Sequence, residues 1–278
     1  MTTIATPHRA RLTPPGSGSR PRRALDLITA EWIKLWSLRS TYAGLVAAAV
    51  ATLLIPSAVA HANVAYVRQG SPHGPIPIDP VAMSFRGLAL AQLIIAALGA
   101  LAMTGEYGSG LIRSTFAAAP QRAAVLAAKY AVIAVVALVF GQLLTFGCFL
   151  VTQAELSTVH KGLSLGAPHA LRATVAAGCY VGVVAVVGLA IGTLVRHTAA
   201  AIGVSVALFF LVPGIASALP SPWDTRFSDA LPSTAAQVLS SQHHIAGLLG
   251  TGWAAVSLIG YATVAPLIAA VTLHRRDA

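Results

Sequence analysis

Six stretches of the chain, at about 41–62, 87–104, 130–152, 173–195, 198–219 and 252–273, run for roughly twenty residues each without one Asp, Glu, Lys or Arg. A hydrocarbon layer of about 30 Å, crossed at about 1.5 Å per helical residue, needs a run of this length. Lipid offers no water to satisfy backbone N–H and C=O groups, so an uninterrupted run of this kind must be helical. Composition leaves no other surface to build: 56% of the 278 residues are hydrophobic and 9% charged, against about 25% charged in a soluble domain. The expected fold is therefore an all-α polytopic membrane protein with six transmembrane helices. The net charge of +10 does not point to nucleic acid, because the basic residues flank the apolar runs, and the lipid bilayer is the expected partner.

Those flanking charges also orient the chain. With the N-terminus inside, thirteen of the eighteen Lys and Arg residues fall on cytoplasmic segments and five (Arg68, Arg86, Lys161, Arg172, Arg226) on outer ones. This asymmetry predicts a multi-pass protein of the cell membrane with both termini cytoplasmic. Ala58-Val59-Ala60 resembles a signal-peptide cleavage box. The basic leader before it is too long for one, so the first run is read as a retained span. Arg196-His197 alone joins the fourth and fifth runs, which predicts a tight helical hairpin. Residues 230–250 hold Pro232, several serines and His243-His244, and are assigned to a polar outer loop.

Signatures of chemistry are missing. There is no P-loop, since Gly105 to Gly110 is followed by Leu111 rather than Lys, and no H-E-x-x-H. Cys148 and Cys179 sit inside apolar runs as packing residues, and His243-His244 lack further ligands. No catalytic residue, cofactor or metal is expected, and the chain is not read as an enzyme. Spans free of Asp, Glu, Lys and Arg also disfavour an ion-coupled carrier, which usually places a charge-moving group within the membrane. The fourth span carries Gly178-xxx-Gly182 and Gly188-xxx-Gly192, a spacing that permits close helix contact.

Two segments outside the spans carry pattern. After a Pro-, Arg- and Ser-rich stretch at 1–23, expected to be a disordered cytosolic tail, residues 24–40 predict an amphipathic helix with Leu25, Ile28, Trp32, Leu35 and Trp36 on one stripe. Trp32, Lys34, Trp36 and Arg39 suit an interfacial anchor in the headgroup layer. Residues 41–276 then form the permeation-sized membrane domain. The second segment follows the second span: Gly105-Glu106-Tyr107-Gly108-Ser109-Gly110-Leu111-Ile112-Arg113-Ser114-Thr115-Phe116, ended by Pro120. Leu111, Ile112, Thr115, Phe116 and Ala119 share one helical face and Arg113 takes the other. The pattern predicts a short amphipathic helix on the cytosolic side, or more plainly a solvated basic loop.

The arrangement E-Y-x-x-G-x-I-R-[ST] in this loop, with Ala30-Glu31-Trp32-Ile33-Lys34-Leu35-Trp36 before the first span, resembles the permease subunits of type-2 ABC exporters, especially actinobacterial ones. Gly108 and Ser109 depart from that pattern, standing where a bulkier or charged residue is usual. The resemblance implies that the loop is a coupling helix for a separately encoded ATPase, with Glu106, Tyr107, Gly110, Leu111, Ile112, Arg113 and Phe116 in the coupling element. There Leu111, Ile112 and Phe116 would fill a groove of the partner, while Glu106 and Arg113 fix its register. It also implies a homodimer or a pairing with a second permease. A non-transporting assembly or anchoring protein is the alternative from another class.

Overall fold

The computed structural model describes residues 20–70, 79–119, 121–241 and 250–276. The tail 1–19, Pro120 and the His243-His244 pair lie outside them. The described residues contain helices and no strands. In chain order the helices are α1 (Arg20–Ser37), α2 (Arg39–Arg68), α3 (Pro80–Ser84), α4 (Leu88–Gly108), α5 (Leu111–Ala118), α6 (Arg122–Ser157) and α7 (Ala170–Val195). After these come α8 (Thr198–Val206), a π-helical turn (Ala207–Leu211), α9 (Val212–Ser217), α10 (Trp223–Asp229), α11 (Pro232–Ser240) and α12 (Thr251–Arg276).

Six helices among the described residues are long and apolar enough to cross a membrane: α2, α4, α6, α7, the continuous Thr198–Ser217 and α12. They coincide with the six charge-free stretches, so the chain is an all-α, multi-pass membrane protein. Most carry exposed apolar faces, such as Val46 and Leu54 on α2 or Ile259 and Leu267 on α12. Side chains of this kind are stable against lipid and would be a liability in water. Helix α7 is different, being buried along nearly its whole length at the centre of the bundle.

Small residues make that central position possible. A Cβ added to Gly188 would lie 2.2 Å from the Ala96 carbonyl oxygen of α4. One added to Gly192 would lie 2.5 Å from that of Ala100, and one on Gly99 of α4 would meet the Ala185 carbonyl oxygen at 2.3 Å. The two backbones therefore touch at three points over about two turns of α7, where any larger residue would hold them apart. Gly178 instead faces α6, with Gln142 against it, while the space beside Gly182 is looser, at 3.7 Å to Leu138.

A polar chain crosses the same interface toward the N-terminal ends of α4 and α7. The Tyr180 hydroxyl of α7 donates to Gln92 Oε1 of α4, and Gln92 Nε2 donates to the Phe209 carbonyl at 3.1 Å. Phe209 lies in the π turn, whose altered backbone ladder leaves carbonyls available to such a donor. All three residues are buried, and the Tyr180 hydroxyl and the Gln92 amide satisfy one another and the Phe209 carbonyl, as their burial requires. At the same end of the bundle α11 is nine residues long, about 14 Å, too short to cross. It packs Ala235, Ala236, Val238 and Leu239 inward. Tyr261 of α12 donates to the Ala230 carbonyl at 2.7 Å, tying the last span to this connection.

Gly188→Val should sharply lower the thermal midpoint of the detergent-solubilised protein, because the added carbons collide with backbone that cannot rotate away; overpacking costs about 1–3 kcal/mol or more. Gly182→Ala should leave the midpoint unchanged. Equal midpoints for the two variants would remove the α4–α7 backbone contact as the organising feature.

Candidate functional site

The chain carries 18 basic and 8 acidic residues in all, yet four charged side chains converge at the end of the bundle that carries α5. Glu31 and Lys34 come from α1, Glu106 from the last turn of α4 and Lys129 from the start of α6. Lys129 Nζ donates to Glu31 Oε2 in a very short contact, and to Glu106 Oε1 at 2.8 Å. Lys34 Nζ donates to Glu31 Oε1 at 2.8 Å, to Glu106 Oε1 at 3.2 Å and to the Thr115 hydroxyl of α5 at 3.3 Å. The quartet is electrically neutral, and Glu31, Glu106 and Lys129 are each more than nine-tenths buried. Isolated charges could not be held there; two ammonium groups sharing two carboxylates can, because each charge has opposite charges as direct ligands.

Burial of Lys34 disfavours its charged form. The hydrogen bond to Glu31 and the neighbouring Glu106 carboxylate outweigh that penalty and raise its pKa above the ordinary 10.5. A raised lysine pKa stabilises the fold at all pH values below the unfolded one. The contribution is lost only as pH climbs through the folded value, so the tie persists throughout the neutral range.

The sequence around the quartet explains how the elements meet. Helix α1 turns Leu25, Ile28 and Trp32 outward, and its Glu31 inward. Lys34, expected among the interfacial anchors, is only partly exposed and turns toward the bundle. Trp32 and Trp36 contact each other edge-on with ring centroids 5.7 Å apart, and Trp36 packs against Tyr42 of α2 at 5.3 Å. Arg39 is exposed at the start of α2. Helix α4 ends where the Ser109 hydroxyl donates to the Gly105 carbonyl at 2.7 Å. The chain then reverses through Gly110, whose φ of +71° favours glycine.

Helix α5 therefore lies across the quartet's end of the bundle. Ile112 is buried, and the partly buried Phe116 packs against the same core, with the Arg122 guanidinium 5.2 Å from its ring centroid. Two of the three apolar residues expected to fill a partner's groove are thus covered by the chain's own bundle. Leu111 and Arg113 are exposed, together with Ser114, Ala117 and Ala118. Tyr107 is half-buried beneath Arg196, whose guanidinium sits 5.1 Å from its ring centroid. This contact brings in the α7–α8 hairpin, which turns through Arg196 and His197 as the two-residue linker predicts.

The structure thus brings together Glu106, Tyr107, Ile112, Phe116 and Lys34, and leaves Leu111, Arg113, Trp32 and Arg39 on the surface. Sequence reasoning missed Glu31 and Lys129 as members of the site. The signal for Lys129 was position: in a chain so poor in charge, a base directly before an apolar run must be compensated; Glu31, ten residues before the first run, gave no such signal. Among the described residues, no group of three or more His, Cys, Asp and Glu could hold a metal ion.

A family model described as ABC-2 family transporter protein matches residues 27–214, from the middle of α1 to α9. No curated protein matches the chain.

Lys129→Met should destabilise the protein by about 3–5 kcal/mol, because it strands two buried carboxylates beside a single ammonium. The neutral pair Glu31→Gln with Lys129→Met should recover part of that loss. Thermal unfolding of the two variants in the same detergent measures the difference, and a double variant less stable than Lys129→Met would refute the pairing.

Proposed function

We propose, from the premise that the chain belongs to the ABC-2 transporter family, that it is the membrane-spanning subunit of an exporter driven by a separately encoded ATPase. Permease function in ABC-type transport follows from membership; partner, direction and docking site are the proposal. The observation that carries it is the two-sidedness of α5. Its inner face is locked to the bundle by Ile112, Phe116 and the Lys34–Thr115 hydrogen bond. Its outer face presents Leu111 and Arg113. A helix free on one side and fixed on the other can receive a displacement and pass it on.

The quartet supplies the route. Closure of an ATPase against α5 would press on α1, α4 and α6 together, because Lys34 and Lys129 bridge all of them. The charged and apolar groups on the exposed face suit a protein interface, where an apolar anchor provides energy and a charge fixes register. Outward transport rests on the resemblance of the 105–116 segment to exporter permeases. The transported molecule would pass between two such subunits, as a homodimer or with a second permease.

Leu111→Asp and Arg113→Glu should each weaken co-purification of the ATPase at least tenfold while membrane abundance stays normal. Phe116→Asp should instead reduce abundance, since it puts a charge against the chain's own core. Normal ATPase recovery in both surface variants would remove α5 as the docking element.

The proposed orientation is tested separately. In a background lacking Cys148 and Cys179, cysteines at Thr3 and Asp277 should be protected from an impermeant thiol reagent in intact cells, and one at Ser228 should react. Labelling at Asp277 would place the C-terminus outside.

A further inference from the structure

At the end of the bundle opposite the quartet, α2, α3, α4, α7 and α11 enclose an open cavity of about 810 Å³. That volume lies in the range of about 300–1,000 Å³ typical of small-molecule sites. The α2, α3 and α4 side is apolar, with Ile55, Val59, Phe85 and Leu88, while α11 lines the other side with Ser233, Gln237 and Ser240. The cavity runs from Arg86 at its mouth to Gln92, one turn inside α4, with Ile55 and Val59 of α2 alongside. At depth it meets Gln92 and Tyr180, which are already engaged with each other and with the Phe209 carbonyl. They form a rigid polar floor that demands no ligand.

The two charged side chains among the described lining residues are at the rim, and they are not equivalent. Asp79 caps α3, its Oδ1 accepting from the Val81 and Ala82 N–H groups at 3.0 Å each. Arg86 is exposed, and no carboxylate of the described residues lies within ion-pair distance of its guanidinium. A guanidinium presents a planar fork of donors suited to carboxylate or phosphate oxygens. Gln237 of α11 faces the same cavity and can both donate and accept.

We propose that this cavity binds an amphipathic anion, its carboxylate or phosphate held by Arg86 and its apolar body laid along Ile55, Val59 and Phe85. The inference deepens the permease reading, on which it rests for the claim that such a molecule is cargo. The cavity opens on the side to which an exporter delivers. A ligand whose charge stays at the rim leaves no unpaired charge in the apolar depth, and its tail replaces water on the apolar side.

The test uses the full chain in phosphatidylcholine nanodiscs, without ATPase, and two fluorescent probes of equal chain length: dansyl-undecanoic acid and its neutral amide. The wild type should bind the acid more tightly than the amide. Arg86→Gln, at an exposed position, should weaken acid binding at least tenfold and leave amide binding unchanged. Ala89→Trp, which fills the cavity from α4, should weaken both. Displacement of the acid by phosphatidylglycerol would identify a lipid headgroup as the source of the anion. Failure to displace it would identify a free solute. Acid binding at wild-type strength in both variants overturns the site, and equal weakening of acid and amide by Arg86→Gln overturns the anionic assignment. Neither result depends on whether the ATPase docks on α5.

Discussion

The backbone contact between α4 and α7 is the interaction on which the rest of the structure depends. In lipid there is no hydrophobic force to drive helices together, since an apolar side chain is equally comfortable against an acyl chain. Association must come from close van der Waals contact and from polar pairing. Gly99, Gly188 and Gly192 provide the first by removing the atoms that would separate the two backbones. That closeness lets Tyr180 reach Gln92, and Gln92 reach the π turn of the fifth span. The same packing sets where α4 ends, and so where Glu106 is delivered.

At the end of the bundle that carries α5 the governing problem becomes charge. The whole chain has three lysines, Lys34, Lys129 and Lys161, and two of them converge on Glu31 and Glu106. A lysine ammonium is a compact charge with three donors on a flexible stem, which lets each Nζ serve carboxylates from two different helices. The result ties α1 to the spans α4 and α6, with α5 attached through Thr115. Such a joint resists partial motion, because separating one member exposes a buried charge without a partner. In the proposed coupling, a force on α5 would be shared by several helices or break the cluster, two discrete responses in place of a graded one.

Much of this was legible beforehand. The six spans and the α7–α8 hairpin each follow from a local property, run length or linker length. Residues 230–250 were read as a polar loop that does not cross; their described part is the helix α11, because Ala235, Ala236, Val238 and Leu239 find a buried face only in the folded bundle. The segment after the second span was visible as a short helix with opposed faces. Which face would be free was not visible. Ile112 and Phe116 have the apolar character of a docking surface, and only the position of the bundle beneath them shows that the chain uses that face itself. Likewise Gly188-xxx-Gly192 announced close packing without naming α4 as the partner.

The sequence by itself determined that this chain crosses a membrane six times as helices, because crossing requires only enough consecutive apolar residues and each run satisfies that condition alone. The tertiary structure alone decided that Glu31 answers Lys129 across 98 residues of chain and that Lys34 answers Glu106 across 72. It alone opened a cavity between five helices at the other end. Hydrophobic length is a property of neighbours in sequence. The pairing of buried charges and the space left between helices depend on which surfaces meet.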